Sequence, residues 1–254
     1  MQIYYYRLYN LAMINIVGDF HTHTTVSQHA FSTINEMVAA AKVKGLRAIA
    51  ITNHGPEMLD GAIPHHFVCL PGLPDQIDGI RLLKGAEVNI KSYDGRLDLG
   101  NHILSKLDFV IASYHIEAIE PGSEAENTRG WLNAINTGMV DCLGHCGNPV
   151  FPFDHEQVVK ACAQKGVAIE INANSSIVRP GSEDNCKDIM ELCIRYKVPI
   201  FINSDAHSMY TVGEFASAVE LVESLGIPHS AILNSSFEAT MEFIEKRNAI
   251  RRRV

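Results

Sequence analysis

The chain has 254 residues, of which 46% are hydrophobic and 20% are charged, and its formal net charge is −8. This composition is typical of a globular protein with a sizeable core, and no apolar run approaches the roughly 18 residues that a membrane helix needs. The acidic balance argues against a protein that binds nucleic acid through a basic surface. The one basic run, residues 251–253, is expected to be a solvated tail.

The amino-terminal segment does not have the pattern of a secretion signal. Aromatic side chains and Arg7 interrupt the stretch in which a signal peptide needs an unbroken apolar region. The six cysteines show no Cys-x-x-Cys spacing, which is typical of reduced thiols rather than of a zinc knuckle or a disulfide framework. We therefore expect a cytoplasmic protein.

Short apolar runs rich in β-forming residues alternate with amphipathic helical segments. The first run precedes a predicted helix that begins near Thr33, where Thr33 and Glu36 have the spacing of a capping box and Gly45 suits the end of the helix. Further helices are predicted near residues 126–137, 155–165, 184–196 and 213–225. The seven apolar runs span residues 15–20, 47–52, 80–90, 107–114, 138–143, 166–171 and 198–203. This alternation predicts a parallel β/α architecture.

Potential metal ligands stand at the ends of six of the seven runs, and one more lies in the first loop. In a parallel β/α barrel the carboxyl ends of the strands converge on one face, and that face carries the active site. Imidazole is the commonest protein ligand for transition metals, and carboxylates often accompany it. The sequence therefore predicts a metal centre from these nine side chains: His21, His23, His29, His54, Glu87, His115, His145, Asp205 and His207.

The motifs at the run ends resemble the PHP (polymerase and histidinol phosphatase) superfamily, and within it the YcdX-like phosphatase branch. They are DFHTHT, AITNHGPEM, GAEVNI, HCGNP, EINANSS, RPGSEDNC and NSDAH, and the likeness runs from about residue 17 to residue 236. The resemblance implies a distorted (β/α)7 barrel with a trinuclear metal site at the carboxyl ends of the strands. Residues 17–254 would form this single domain and residues 1–16 an N-terminal extension, with Met13 as an alternative start.

The resemblance also implies how the ligands divide among three divalent ions, with zinc preferred and manganese or iron as alternatives. One ion would be held by His21, His23, Glu87 and Asp205. A second would share Glu87 and add His115 and His145, and a third would bind His29, His54 and His207. Where the family commonly has an aspartate, this chain has Asn53, so we expect His54 to be a less basic ligand.

This ligand set predicts a metal-dependent phosphatase. A metal-bridging hydroxide would hydrolyse a small phosphomonoester, with Glu87, Asp205 and His207 as the catalytic residues. Arg179 and Ser182 are candidates for a phosphate clamp, and Ser182 or Asp184 is also suited to cap the helix that follows. His66 lies in a segment rich in Pro and Gly, predicted to be a loop, and is a third candidate substrate contact.

Two other functions remain open at this point. An amidohydrolase-like enzyme acting on C–N bonds uses similar barrel metal sites, but this chain has no lysine at a run end that could be carbamylated. A non-catalytic PHP module would tolerate the loss of ligands, whereas all nine are retained here. The sequence identifies neither the substrate, nor the native metal, nor the oligomeric state.

Overall fold

The structure is a computed structural model that describes residues 14–253. Within these residues no helix has both the length and the apolar character that crossing a membrane requires. Met13 and most of the predicted N-terminal extension lie outside the described residues. The last part of that extension is described, and its Ile14 and Ile16 are buried in the main core.

The centre of the fold is an eight-stranded sheet that curves into a nearly closed barrel. Seven strands are parallel in the order β1-β2-β4-β5-β6-β7-β8, and β3 pairs antiparallel with β4. Each predicted apolar run contributes one parallel strand, so the prediction of a distorted (β/α)7 barrel is confirmed. The strands are β1 (Gly18–Asp19), β2 (Ala48–Ile51), β3 (Gln76–Ile77), β4 (Ile80–Asn89), β5 (Phe109–Ser113), β6 (Cys142–Leu143), β7 (Ala168–Asn172) and β8 (Ile200–Asn203).

Helices lie between the strands. The predicted capping box is present, because Thr33 and Glu36 bond reciprocally at the start of the first helix, and Gly45 follows its end with φ +75°. His66 lies in a short helix and not in a loop as predicted. The helices are α1 (Ile34–Val43), α2 (Pro64–Cys69), α3 (Asn101–Leu104), α4 (Glu124–Asn136), α5 (His155–Lys165), α6 (Ser175–Val178), α7 (Ser182–Tyr196), α8 (Ala216–Ser224) and α9 (Phe237–Arg251).

The two faces of the barrel strands pack into different cores, because successive side chains on a strand point to opposite faces. One face packs against the surrounding helices. The other fills the barrel interior, where Phe20, Phe109 and Phe201 meet with ring centroids 5.3 to 5.9 Å apart. Leu83 and Glu87 are four residues apart on β4, so both side chains point into the barrel. Leu83 packs in the apolar interior, and Glu87, nearer the carboxyl end of the strand, is a candidate metal ligand.

The side chain of Asn234 helps to join the two ends of the sheet, next to a bond from the Phe20 N–H to Asn203 Oδ1. The side chain of Asn234 donates to the carbonyl oxygens of Gly18 and Ile202, at 3.0 and 2.6 Å, and accepts from the backbone N–H of Ile202. Its own carbonyl accepts from the N–H of Val17. These bonds connect β1 to β8, so the amide takes the place of a full strand ladder at this seam.

The carboxyl-terminal helix α9 closes the amino end of the barrel, and the expectation of a solvated basic tail is wrong for its first arginine. Arg251 is fully buried, bonds to the carboxylate of Asp141 and donates to the carbonyl of Leu107 at 2.7 Å. Arg247 donates to the same carboxylate at 3.2 Å. A buried guanidinium needs a carboxylate and further acceptors, and the strand ends provide them here.

Candidate metal centre

Glu87 lies at the centre of a buried cluster at the carboxyl ends of the strands. Its Oε2 is 2.8 Å from His54 Nδ1 and 3.2 Å from His21 Nε2. Its Oε1 is 2.8 Å from His145 Nε2 and 3.4 Å from His115 Nε2. Four strands and loops therefore present imidazole nitrogens to one carboxylate.

The remaining predicted ligands join the same cluster through Asp205. The Oδ1 of Asp205 is 3.2 Å from His23 Nε2, and the His207 ring stacks on the His23 ring with centroids 4.2 Å apart. His29 in turn stacks on His207 at 4.6 Å and on His54 at 5.0 Å. The structure thus brings all nine predicted side chains together.

Two of these residues have an unusual backbone conformation. His145 follows β6 with φ +28°, and Asp205 follows β8 with φ +57°. Residues other than glycine rarely occupy this region, and such strain is found where surrounding structure holds a functional side chain in place. For His145 that support includes a bond from its backbone N–H to the Glu170 carboxylate at 2.8 Å.

The unsatisfied atoms of the cluster fit a metal centre. Among residues 14–253, seven of the nine buried side-chain nitrogen or oxygen atoms without a hydrogen-bond partner belong to the predicted ligands, which are His21, His23, His54, Glu87, His115 and Asp205. Buried polar atoms without partners are costly, so their concentration at one point indicates that another group satisfies them. Imidazole nitrogens with carboxylate oxygens are the donor set that zinc, manganese and iron accept.

Three sets of residues could each hold a metal ion, because within each set the ligand atoms all lie within 4.8 Å of one another. They are His23 with His54 and His207, His21 with His23 and Glu87, and His54 with Glu87 and His115. These sets overlap, because His23, His54 and Glu87 each belong to two of them, so they do not give the number of ions. They also depart from the predicted division, since His23 and His54 share a set with His207 and His54 shares another with Glu87.

The charges of the cluster favour a cation at its centre. Burial lowers the pKa of His145 to about 4, and the Arg179 cation acts in the same direction, so this ring is neutral and able to bind a metal. Burial alone would lower the pKa of His21, but the carboxylates of Glu170, Glu87 and Asp205 outweigh it and raise that pKa. A positive charge beside these carboxylates is therefore stabilised, whether a proton or a metal ion supplies it.

Sequence analysis missed the residues that orient the ligands. Glu170 Oε1 lies 2.7 Å from His21 Nδ1, Asp60 Oδ2 lies 2.5 Å from His29 Nδ1, and Asn89 Oδ1 lies 2.7 Å from His115 Nδ1. Such partners fix which ring nitrogen faces the metal. An acidic side chain inside the apolar run of residues 166–171 is a signal that could have identified Glu170, whereas the loop position of Asp60 offers none.

Asn53 does not contact the His54 ring in the way that the sequence suggested. Its Oδ1 accepts from Thr24 and Ser27, and its Nδ2 lies 3.2 Å from His66 Nε2. Ser27 Oγ accepts from the backbone N–H of His54 at 3.1 Å. Asn53 therefore organises the first loop and reaches His54 through the backbone.

A cavity of about 800 Å³ opens above the cluster, and Arg179 is one of its lining residues. The Arg179 guanidinium lies 3.4 Å from Asp205 Oδ2, at the border between cavity and ligands. Ser182 is buried and lines a separate space of about 90 Å³, and His66 packs on Asn53 instead of lining the large cavity. The capping alternative is wrong, because α7 begins after Gly181 without a side-chain cap from Ser182 or Asp184.

Comparison with known proteins agrees with this fold and identifies the family of the chain. A probable phosphatase of Acetivibrio thermocellus is 41% identical over 241 residues, covering 94% of this chain and 100% of that protein. A probable phosphatase of Caldanaerobacter subterraneus subsp. tengcongensis is 44% identical over 241 residues, covering 93% of this chain and 94% of that protein. The solved histidinol phosphate phosphatase of Lactococcus lactis, a complex with zinc, L-histidinol and phosphate, has a TM-score of 0.61 at 21% identity, covering 83% of this chain and 94% of that one. The family model of the PHP domain matches residues 19–174, and the chain belongs to the PHP family.

Proposed function

We propose that the chain is a metal-dependent phosphoesterase that hydrolyses small phosphomonoesters at a centre of three divalent ions. The observation that carries this proposal is the cluster of nine ligand side chains with seven buried atoms left without partners. The probable phosphatases that are 41% and 44% identical to this chain support the choice of reaction. The donor set suits zinc, with manganese and iron as alternatives.

We assign the ligands to the ions as the family resemblance implies. Glu87 would bridge two ions, because both of its oxygens face imidazole nitrogens from different strands. Divalent ions in such a site lower the pKa of water toward neutrality and neutralise the oxygens of a phosphoryl group.

The protein side chains position the reactants. Asp205 would hold both a metal and, through its Oδ2, the Arg179 guanidinium, which is only 14% exposed and borders the cavity. Arg179 can donate hydrogen bonds to a phosphoryl oxygen from this position, because a guanidinium offers several donors in one plane. His207 directs its Nδ1 to the backbone oxygen of Asp205 at 2.8 Å, which leaves Nε2 as the ligand atom. We therefore propose Glu87, Asp205 and His207 as the catalytic set and Arg179 as a substrate contact.

The test is turnover of a generic aryl phosphate such as 4-nitrophenyl phosphate by the zinc-loaded protein and by protein treated with a chelator. Activity should require metal, and Glu87→Gln should lower kcat by several orders of magnitude while circular dichroism shows a folded barrel. Glu223→Gln, which changes a carboxylate on α8 paired with His229, is the matched control and should keep its activity. Near-normal turnover of the Glu87 variant would refute the bridging role, and metal-loaded protein without any turnover would favour a non-catalytic module.

A further inference from the structure

The cavity above the metal centre has the size of a small-molecule site. Its volume of about 800 Å³ lies within the range of roughly 300 to 1,000 Å³ that small ligands occupy. Ligand side chains including His54, His115 and Asp205 form its floor. The phosphate of a substrate would lie on this floor, so the rest of the substrate must fit the walls.

The walls of the cavity carry carboxylates, and Arg179 lies on the floor. Among the described residues that line the cavity, Arg179 is the one lysine or arginine, and it sits on the floor beside Asp205. Glu117 and Glu214 bring carboxylates to the lining, and Glu214 is paired with Lys44. A second phosphate or a carboxylate on the substrate would therefore meet no fixed cation on the walls and would be repelled by Glu117.

Large apolar side chains are exposed on the same walls. Phe31 is 77% exposed, Ile177 is 76% exposed and Val178 is 52% exposed. Isolated exposed apolar residues are common, but several around one concave surface mark a place where a ligand covers them. Because this surface continues into the metal centre, the ligand that covers it is the organic part of the substrate.

We propose that the substrate is a monophosphate ester whose organic part is apolar and carries no negative charge, an inference that rests on the proposed phosphomonoesterase function. In the reaction a water oxygen bonds to phosphorus, the ester P–O bond breaks, and the leaving alcohol takes up a proton from that water. Bisphosphates, nucleoside polyphosphates and phosphoesters of hydroxy acids are then poor substrates, because their second anionic group faces the wall.

The apolar contact is tested by binding, which does not depend on turnover. The zinc-loaded protein should bind phenylphosphonate at least about tenfold more tightly than methylphosphonate, a difference of about 1.4 kcal/mol. Phe31→Ser and Ile177→Ser should each reduce this preference and leave the affinity for methylphosphonate unchanged. Val43→Ser is the matched control, because Val43 is 86% exposed on α1 and does not line the cavity. Equal affinity for the two phosphonates, or a preference that both cavity variants retain, would overturn the apolar wall.

The charge of the walls is tested by hydrolysis. Phenyl phosphate should have a kcat/KM at least about tenfold above that of 4-carboxyphenyl phosphate, although the second compound has the more acidic leaving group. Glu117→Lys should narrow this difference. Glu120→Lys changes an exposed carboxylate in the same loop outside the cavity lining and should leave it unchanged. A preference for the carboxylated ester would overturn the charge argument.

The outcomes separate this inference from the proposed function. If no phosphomonoester is hydrolysed while phenylphosphonate still binds more tightly than methylphosphonate, the proposed function fails and the apolar wall stands as a ligand site. If esters are hydrolysed without regard to charge or apolar content, the function stands and this inference is wrong. If the Phe31 and Ile177 variants change the sedimentation coefficient and not the phosphonate preference, the wall is a contact between copies of the chain, which also overturns the inference.

Discussion

His115 is oriented by a chain of hydrogen bonds through Asn89 to Asp98. Its Nδ1 lies 2.7 Å from Asn89 Oδ1, and Asn89 Nδ2 donates to Asp98 Oδ2 at 2.6 Å. Asp98 also accepts from the backbone N–H groups of Asn89 and Glu57, at 2.9 and 3.1 Å. All the groups around this carboxylate are donors, so it fixes the direction of the Asn89 amide and thereby keeps the His115 proton on Nδ1 and the metal-facing Nε2 free.

The first prediction is that Asp98→Asn weakens metal binding without removing a ligand. The NH2 group of the new amide would face the NH2 group of Asn89, and two donors cannot bond to each other. Asn89 therefore turns its amide, so that its oxygen accepts from position 98 and its NH2 faces His115 Nδ1. The imidazole proton then moves to Nε2, and we expect a loss of about 10- to 100-fold in zinc affinity, as for other partners of metal-bound histidines. Competition with a chromophoric chelator measures this affinity, with Asp94→Asn, an exposed aspartate four residues earlier in the chain, as the control.

An exchange of the two side chains separates orientation of His115 from support of the loop. In the double variant Asn89→Asp, Asp98→Asn the carboxylate again accepts the proton of His115 Nδ1, while the bond from Glu57 N–H to position 98 is weakened. Zinc affinity should return to within a few fold of the original protein. If the double variant binds zinc as poorly as Asp98→Asn alone, the relay to His115 is wrong.

The second prediction concerns the division of ligands among the ions. If His29, His54 and His207 hold a separate ion, His54→Ala keeps two ions per chain and loses one Lewis acid, a loss of several kcal/mol in transition-state stabilisation or at least about a hundredfold in kcat. His145→Ala should cost an ion bound to Glu87 and nearly all activity. Elemental analysis and kcat, measured together, check both variants. Loss of all ions from His54→Ala, or retention of three, would contradict the separate site. His54 Nδ1 lies 2.8 Å from Glu87 Oε2, so the alternative, in which His54 binds an ion together with Glu87, is a real one that this test distinguishes.

At the scale of the elements, the strands were predictable because their pattern is local. Seven apolar runs, six of them followed by ligand residues, defined both the barrel and its metal face. The side chains that hold these strands and helices together were not predictable, because their hydrogen-bond partners are far away in the sequence. Asn234 bonds to Gly18 across 216 positions and Arg251 to Asp141 across 110, so neither partner is visible in the neighbouring sequence. Asp60 and Asn89 likewise gain their roles only through contacts with histidines 31 and 26 positions away in the sequence.

The third prediction is that the junction of α9 with the barrel is a major source of stability. Asp141 accepts from Arg247 and Arg251 and from the backbone N–H of Val110 at 2.8 Å, all in buried positions. Asp141→Ala leaves two buried guanidinium groups without their carboxylate, and we expect the free energy of unfolding to fall by about 3 to 5 kcal/mol. Urea denaturation of the zinc-loaded protein measures the change.

The control for this prediction lies on the same helix. Lys246 pairs with Glu242 at 2.6 Å, but both side chains are exposed, at 70% and 65%. Lys246→Ala should therefore change the free energy of unfolding by less than about 1 kcal/mol. Similar effects of Asp141→Ala and Lys246→Ala would show that α9 is held by its apolar contacts with the barrel interior instead.

At the scale of the whole molecule, the net charge of the protein has the same sign as the charge of the proposed substrate. The chain carries a formal net charge of −8, and a phosphomonoester is itself anionic. Three divalent ions would add about six positive charges at the mouth of the barrel, where a concave surface focuses their field. The proposed ions would thus reverse the local potential, and the acidic surface elsewhere would direct an anionic substrate to this one face.

The fourth prediction is that the same ions stabilise the fold. Glu87, Asp205 and Glu170 are buried and each lies within 3.4 Å of the His21 ring, and several of the surrounding polar atoms have no partner. Ligand present at about a thousand times its dissociation constant stabilises the native state by about 4 kcal/mol. In a protein of this size each kcal/mol shifts Tm by about 2 to 4 °C, so chelation should lower Tm by about 10 °C.

Elemental analysis should find close to three ions per chain before chelation, and added zinc or manganese should restore Tm. Glu87→Gln should lose most of this metal-dependent shift, because the variant removes the bridging carboxylate. Equal Tm values for the chelated and metal-loaded protein, or one ion or none after incubation with zinc, would refute the trinuclear centre.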